Sequence, residues 1–545
     1  MRALTGRLAV PLALTLVALL VRAVAAALLP VAPTEGAAWY AGVAAAIAEG
    51  RGLVADATWS YATAPLVLPK PAFELWQPLA SFVSVPAMLL AGPAWGVAQA
   101  MGVLIGALAA PLTWAVAREA AAQAGLDARR AGAVALASGL LVALSAPLVL
   151  AAAAPESTNV FLVAALAVAL LTPRALAGGP VTPGLRGRLP GVALGLALGV
   201  AWLARQEAIW LGAAVLVAAL RVPGRPAGVA RWGRVLIGRL APVVIGGLVI
   251  VVPWLLRQRA VFGTPFPGQA TENLWLKTNE EVFAWAERPE AAAYLARGIG
   301  ALVDDRVGAS LHQLIGVLLV PAFPIGLAGL LALAGLRRTP ALRMVSAWTT
   351  LLLAGALTFL ATALLFPVAT RWGTFLHASG PLLVALSVAA ALGGDALVAR
   401  ISRARRWERE NIVIAPVALI AVTAALLGLQ LAVEVARTGR LADRLAVMAR
   451  DLDTRGVEPV LIADQPVRIG EAAGRMTVVL PDEPPEAVLD LARFYGTRTI
   501  VLLGERGRYP AAFLDGPGRA CLAAEPERIG PADAPAWLLR LAESC

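Results

Sequence analysis

The chain has 545 residues, 59% of them hydrophobic and only 15% charged, with a mean hydropathy of +0.75. Soluble domains carry about 25% charged residues, so this composition excludes an ordinary soluble enzyme and points to a polytopic membrane protein. The net charge of +11 does not indicate nucleic-acid binding, because the arginines fall in short breaks between apolar runs.

The first apolar run, residues 8–29, is long enough to cross a bilayer. No small-residue cleavage pattern follows it, so it is expected to be retained as a signal anchor. Pro30 and Pro33 end the run, and "PTEGAAWYAGVAAAIAEGRG" then reads as an amphipathic helix led by Glu35. That helix carries Trp39 and Tyr40 and stops at the glycines around Arg51. An acid at its start is either a helix N-terminal charge, stabilised by the macrodipole, or a carboxylate held at the membrane surface to act as a base. Residues 74–91, with Glu74, Pro78 and Pro86, read as a surface-lying helix.

Ten further spans are expected at 97–117, 132–150, 157–172, 189–203, 207–220, 235–256, 311–336, 344–366, 374–394 and 411–432, eleven in all. With the N-terminus inside, every inner connection is arginine-rich: Arg118, Arg129 and Arg130; Arg174, Arg186 and Arg188; Arg221, Arg225, Arg231 and Arg234; Arg337, Arg338 and Arg343; and Arg400, Arg403, Arg405, Arg406 and Arg409. This is the positive-inside pattern. It places the 31–96 loop, the 257–310 loop and the tail from 433 together on the outer side. The two lysines of the chain, Lys70 and Lys277, both lie in those outer loops. The expected architecture is mainly α: a transmembrane bundle over 1–432 and a small extracytoplasmic α/β domain over 433–545.

Polar groups at membrane depth are rare and usually functional. "AAAAPESTNVF" puts Glu156 at an outer junction, as a helix cap or as part of a site. "AWLARQEAIWL" puts Arg205 and Glu207 at another. They either compensate one another in a tight turn or, since residues two apart on a helix do not face each other, each meets something else. "PVATRWGTFLHASGP" sets Arg371 at the surface, as a lipid-phosphate ligand or a snorkelling side chain, with His377 one to two turns deeper.

In the tail, "PVLIAD" and "TIVLLG" read as buried strands, "EAVLDLARFYG" as a helix, and Pro481 to Pro485 as a turn. The two cysteines, Cys521 and Cys545, fall in this outer part, where an oxidising compartment permits a disulfide. The sequence carries no cysteine metal cluster, phosphate-cradling glycine loop, hydrolase serine elbow or internal repeat; the last weighs against an inverted-repeat transporter.

Taken in order, several segments resemble the GT-C class of polytopic glycosyltransferases, and within it the glycosyltransferase family 39 group. That group holds protein O-mannosyltransferases, the aminoarabinose transferase of lipid A and rhizobial lipopolysaccharide sugar transferases. The matching segments are Glu35 through "AAAIAEGRG", "KPAFELWQPLASFV", "PESTNVFLVAALAVALL", "GVAWLARQEAIWL" and "VPWLLRQRAVFGTPFPG". The chain departs from the pattern in holding Glu35 and Gly36 where the family opens with aspartate and often a second acid. It also holds Arg205-Gln206-Glu207 in place of Arg-Pro-Glu.

The resemblance implies a sugar donor on polyprenyl phosphate, an inverting single displacement, and a glycan, lipid or protein acceptor at the outer face of the plasma membrane. It implies Glu35 as base, with Arg205, Arg371 and Lys277 as candidates for the donor phosphate. Glu207 and Glu156 would orient those cations or help bind a divalent cation such as Mg or Mn, which the sequence does not require. His377 and Tyr40 would support the site. The competing readings are a non-catalytic lipid-binding envelope scaffold and a lipid or solute transporter.

Overall fold

A computed structural model describes residues 2–176, 185–221, 229–268, 271–337, 339–406, 414–504 and 512–545. Among the described residues, eight helices are long and apolar enough to cross a membrane: Leu8–Ala27, Trp95–Gln123, Ser157–Leu176, Gly187–Ala204, Gly233–Phe262, Ala347–Leu365, Gly380–Arg405 and Ile414–Thr454. The chain is a multi-pass membrane protein. The 132–150 run is a ninth apolar stretch, split into Ala128–Leu144 and Ala146–Ala153 with a bend of 50°. Proline causes the break: Pro147 has no N–H to donate, and its ring cannot pass the carbonyl of Ala143. The carbonyls this frees at Val142 and Ala143 accept from the guanidinium of Arg22, which is completely buried in the first span. The Nη1 and Nη2 donors of a buried cation are thus paired with backbone carbonyls at a helix break.

Two expected spans emerge as shorter apolar helices, Ala208–Arg221 and Ile325–Leu336. The latter is 12 residues long, well short of the ~20 needed to cross a bilayer, and a π-helical turn, His312–Leu319, precedes it. The 74–91 stretch is not one helix. It forms Leu79–Phe82 and Val85–Ala91, and Glu74 is buried rather than lying at a surface.

Small residues bring the spans close. The helix Leu185–Ala204 presents Gly191, Gly195 and Gly199 to the helix Val229–Phe262. A Cβ on Gly195 would come within 2.0 Å of the Val243 carbonyl, and one on Gly246 within 2.3 Å of the Val192 carbonyl. Without a hydrophobic force between helices in lipid, such close backbone contact supplies the packing energy. The bundle core centres on Trp348, fully buried, with its indole N–H donating to the Ala385 carbonyl at 3.0 Å.

The tail forms the α/β unit. Its strands are β4 (Val460–Ala463), β5 (Met476–Val479), β6 (Thr499–Leu502), β7 (Glu527–Ile529) and β8 (Ala536–Arg540). The first loop supplies β1 (Val54–Ala55), β2 (Ala57–Thr58) and β3 (Lys70–Pro71). β1 and β3 pair antiparallel, while β2 joins the tail's sheet, whose order is β2-β5-β4-β6-β8-β7. β2, β5, β4 and β6 run parallel; β8 runs antiparallel to β6, and β7 antiparallel to β8. The helix Ile414–Thr454 runs unbroken for 41 residues and packs its end, through Leu441, Leu445, Met448 and Leu452, into the sheet's core. A division at 432/433 therefore falls inside one helix. Cys521 and Cys545 are joined as a disulfide, which ties the chain end to the sheet.

Candidate active site

The helix Glu35–Ala48 follows the first span and packs against the helices Val85–Ala91 and Pro466–Ala473. Thr34 caps it: the residue is extended (φ −135°, ψ 155°), and its hydroxyl accepts from the Ala37 N–H at 3.1 Å. The same hydroxyl donates to Oε1 of Glu156, which sits in the junction between Ala146–Ala153 and Ser157–Leu176. His377, on the short helix Thr374–Ala378, places Nδ1 2.9 Å from Oε2 of Glu156 and 3.0 Å from the Thr158 hydroxyl. Glu156 is buried. Burial pushes its carboxyl up, but His377, Thr34 and Arg205 outweigh burial and hold it below the ordinary carboxylate range.

Arg205 completes the cluster, donating to the Ser157 hydroxyl at 2.8 Å and to Glu207 at 2.6 Å. Of the two readings of Arg205 and Glu207, the compensating pair in a tight turn is the one found, and the reading in which they do not face each other is not. The helix ends at Ala204, and residues 205–207 form a turn, so helical spacing does not apply to them. Tyr40 is buried against the cluster; burial pushes its phenol up to about 12.

Of the site residues read from sequence, Glu156, Arg205, Glu207, His377 and Tyr40 come together. Glu35, Arg371 and Lys277 do not join them. Both oxygens of Glu35 are turned to the tail: Oε2 accepts from the Val467 N–H (3.1 Å) and the Trp59 indole (3.2 Å), and Oε1 from the Arg468 N–H (3.0 Å). The side-chain position that faces the cluster belongs to Gly36, where a Cβ would lie 3.8 Å from Oε1 of Glu156. Arg371 is exposed, with its guanidinium over Gly308 and bonded to the Asp305 carbonyl at 3.4 Å. Lys277 is exposed and paired with Glu281 at 3.1 Å.

A second polar group, which sequence reasoning did not assign to the site, lies in the first loop. Lys70 and Glu74 form a buried ion pair at 2.5 Å, with Lys70 also donating to the Ser60 carbonyl and Glu74 accepting from the Thr63 N–H. Burial pushes the Lys70 ammonium down and the Glu74 carboxyl up, each partly offset by the other. The pair lines a narrow pocket walled by Trp39, Trp59, Phe73 and Trp76. Tyr40 links pocket and cluster, its ring 6.0 Å from that of Trp76. The signal available beforehand was the i, i+4 spacing of the lysine and the acid in an aromatic-rich stretch. Among the described residues, no three of His, Cys, Asp and Glu converge as metal ligands. Glu156 and His377 supply two, while Glu207 is turned to Arg205.

No protein-family model and no curated protein matches the sequence. Among solved structures, the chain is similar to ArnT from Cupriavidus metallidurans in the apo state, at 17% identity, TM-score 0.54 and 99% of both chains covered. It is similar to the same protein bound to undecaprenyl phosphate, at 18% identity and TM-score 0.54 over 98% of both. A third similarity is to the archaeal oligosaccharyltransferase AglB from Archaeoglobus fulgidus, in complex with an inhibitory peptide and a dolichol-phosphate. It has 13% identity and TM-score 0.54 over 93% of this chain and 71% of that one. The chain has the GT-C glycosyltransferase fold.

Proposed function

We propose that this protein transfers a sugar from a polyprenyl-phosphate donor to a hydroxyl of an envelope lipid, glycan or protein at the outer face of the plasma membrane, by an inverting single displacement. One observation carries the reading: a buried carboxylate at Glu156, in contact with His377 and Thr34 and near Arg205, beside an aromatic-walled pocket that holds a buried lysine. A single displacement needs a base for the acceptor proton and cations for the departing phosphate. Glu156 supplies the base. Its carboxylate accepts the hydroxyl proton as the acceptor oxygen bonds to the anomeric carbon, and the glycosidic bond to phosphate breaks. Arg205 and Lys70 supply positive charge toward the leaving phosphate, a planar fork in one case and a point charge in the other. Glu207 orients Arg205. Trp39, Trp59 and Trp76 form the apolar wall with few polar groups that small-ligand pockets favour.

Glu35 is better suited to a positioning role, because both its oxygens already accept N–H donors. Arg371 and Lys277, both exposed and apart from the cluster, are assigned no role in the displacement itself. The orientation with the N-terminus in the cytoplasm and the C-terminal unit outside rests on the arginine distribution. The Cys521–Cys545 disulfide supports it, since such bonds persist in oxidising compartments.

The test supplies radiolabelled undecaprenyl-phosphate sugars to membranes containing the wild-type protein or Glu156→Gln. Label should pass to an envelope acceptor with wild-type membranes only. Absence of transfer from every such donor, with binding retained, would favour the scaffold reading.

A further inference from the structure

The segment Pro33-Thr34-Glu35 touches two parts of the molecule that lie far apart in sequence. On one side it meets the C-terminal unit. The helix Pro466–Ala473 begins with a proline, so its first N–H groups in need of partners are those of Val467 and Arg468, and both donate to Glu35. The Arg468 guanidinium, itself buried, donates to the Pro33 carbonyl, and Arg437 donates to the same carbonyl at 2.8 Å. Strand β2 adds a second tie, pairing Ala57 and Thr58 with Thr477 and Val478. On the other side, Thr34, between the two clasped residues, donates its hydroxyl to Glu156.

We propose that the C-terminal α/β unit is a positioning device for Glu156: by fixing Pro33 and Glu35 it aims the Thr34 hydroxyl at that carboxylate, which makes Arg468 and Glu35 positioning residues. The catalytic meaning of the clasp rests on the reading of Glu156 as the base. The clasp itself does not, because its effect on the carboxylate exists without turnover.

The other groups facing Glu156 are His377 from the helix Thr374–Ala378, Tyr40 from the first-loop helix, and Arg205 with Glu207 behind it. None of these is altered when Thr34 or Arg468 is changed. Replacing Arg468 also removes a positive charge, so a single variant does not separate charge from positioning. A double-mutant cycle does, since residues acting through one hydrogen bond are not additive.

The experiment follows protonation of Glu156 by infrared difference spectroscopy on the full-length protein in liposomes. Glu156→Gln identifies the band. Thr34→Val should raise the midpoint by about one pH unit, the shift expected when a carboxylate loses one hydroxyl hydrogen bond. Arg468→Ala and the isosteric Glu35→Gln should each raise it in the same direction, and Thr34→Val/Arg468→Ala should match Thr34→Val alone. If Arg468→Ala does not fold, Glu35→Gln combined with Thr34→Val closes the same cycle. Midpoints unchanged in Arg468→Ala and Glu35→Gln, or shifts that add in the double variant, would overturn the proposal. Full sugar transfer by Glu156→Gln with the cycle intact would instead sink the base assignment and leave the clasp standing.

Discussion

A carboxylate buried at the start of an apolar span stays charged only where partners repay its lost hydration. Glu156 has such partners in His377, Thr34 and nearby Arg205. Its native carboxyl ionises below the ordinary value of 4.5, so its contribution to stability is present above that value and lost as the pH falls through the native one. If Glu156 is the base, the acidic limb of the pH–rate profile for sugar transfer should lie below pH 4.5, and Thr34→Val should move it up. Lys70 and Glu74 present the opposite hazard, a buried pair in which each needs the other. Lys70→Met alone should cost roughly 3–5 kcal/mol in thermal unfolding, and Lys70→Met/Glu74→Leu should recover most of it. At this scale the sequence was partly legible. Glu156, Arg205 and Glu207 stood out as polar groups at expected outer junctions, His377 as one inside a span, and Tyr40 on the first-loop helix. The partners of Glu35 did not, because Val467 lies 432 residues away. The Arg205–Glu207 pair was one of two open readings, because the sequence alone does not show that the helix stops at Ala204.

Among the elements, apolar length located the spans, and proline and glycine set how they bend and meet. Pro147 breaks one span, and Arg22 repays the freed carbonyls. Hydropathy registers neither event, since a run of apolar residues looks the same straight or bent. The contact between Leu185–Ala204 and Val229–Phe262 depends on glycine in the same way. Gly195→Leu has to force the two backbones apart, because even a Cβ would lie 2.0 Å from the Val243 carbonyl. It should destabilise the protein by about 1–3 kcal/mol or more, read as a lower unfolding temperature in detergent. Gly212→Leu, where a Cβ meets nothing within 4 Å, should be near neutral. The shortest elements were the least legible. β2 is two residues long, and only its pairing with β5 makes it a strand.

For the whole molecule, membrane bundle and α/β unit are interleaved rather than joined end to end. The first loop donates a strand to the tail's sheet, and one helix, Ile414–Thr454, belongs to both. The tail's α/β character could be read from its buried strands, whereas this interleaving could not, because it depends on contacts across the length of the chain. The Cys521–Cys545 disulfide spans 24 residues, and closing such a loop stabilises by about 3 kcal/mol on the chain-entropy account. Cys521→Ser/Cys545→Ser should therefore lower the unfolding temperature, with reducing agent doing the same to the wild type and nothing further to the variant. The central claim, that Glu156 is the base of a sugar transfer, is tested most directly by initial rates of transfer from a radiolabelled undecaprenyl-phosphate sugar by reconstituted wild type, Glu156→Gln and Glu35→Gln. Glu156→Gln should lose about 10²–10⁴-fold in rate and Glu35→Gln considerably less; a wild-type rate in Glu156→Gln would contradict the account.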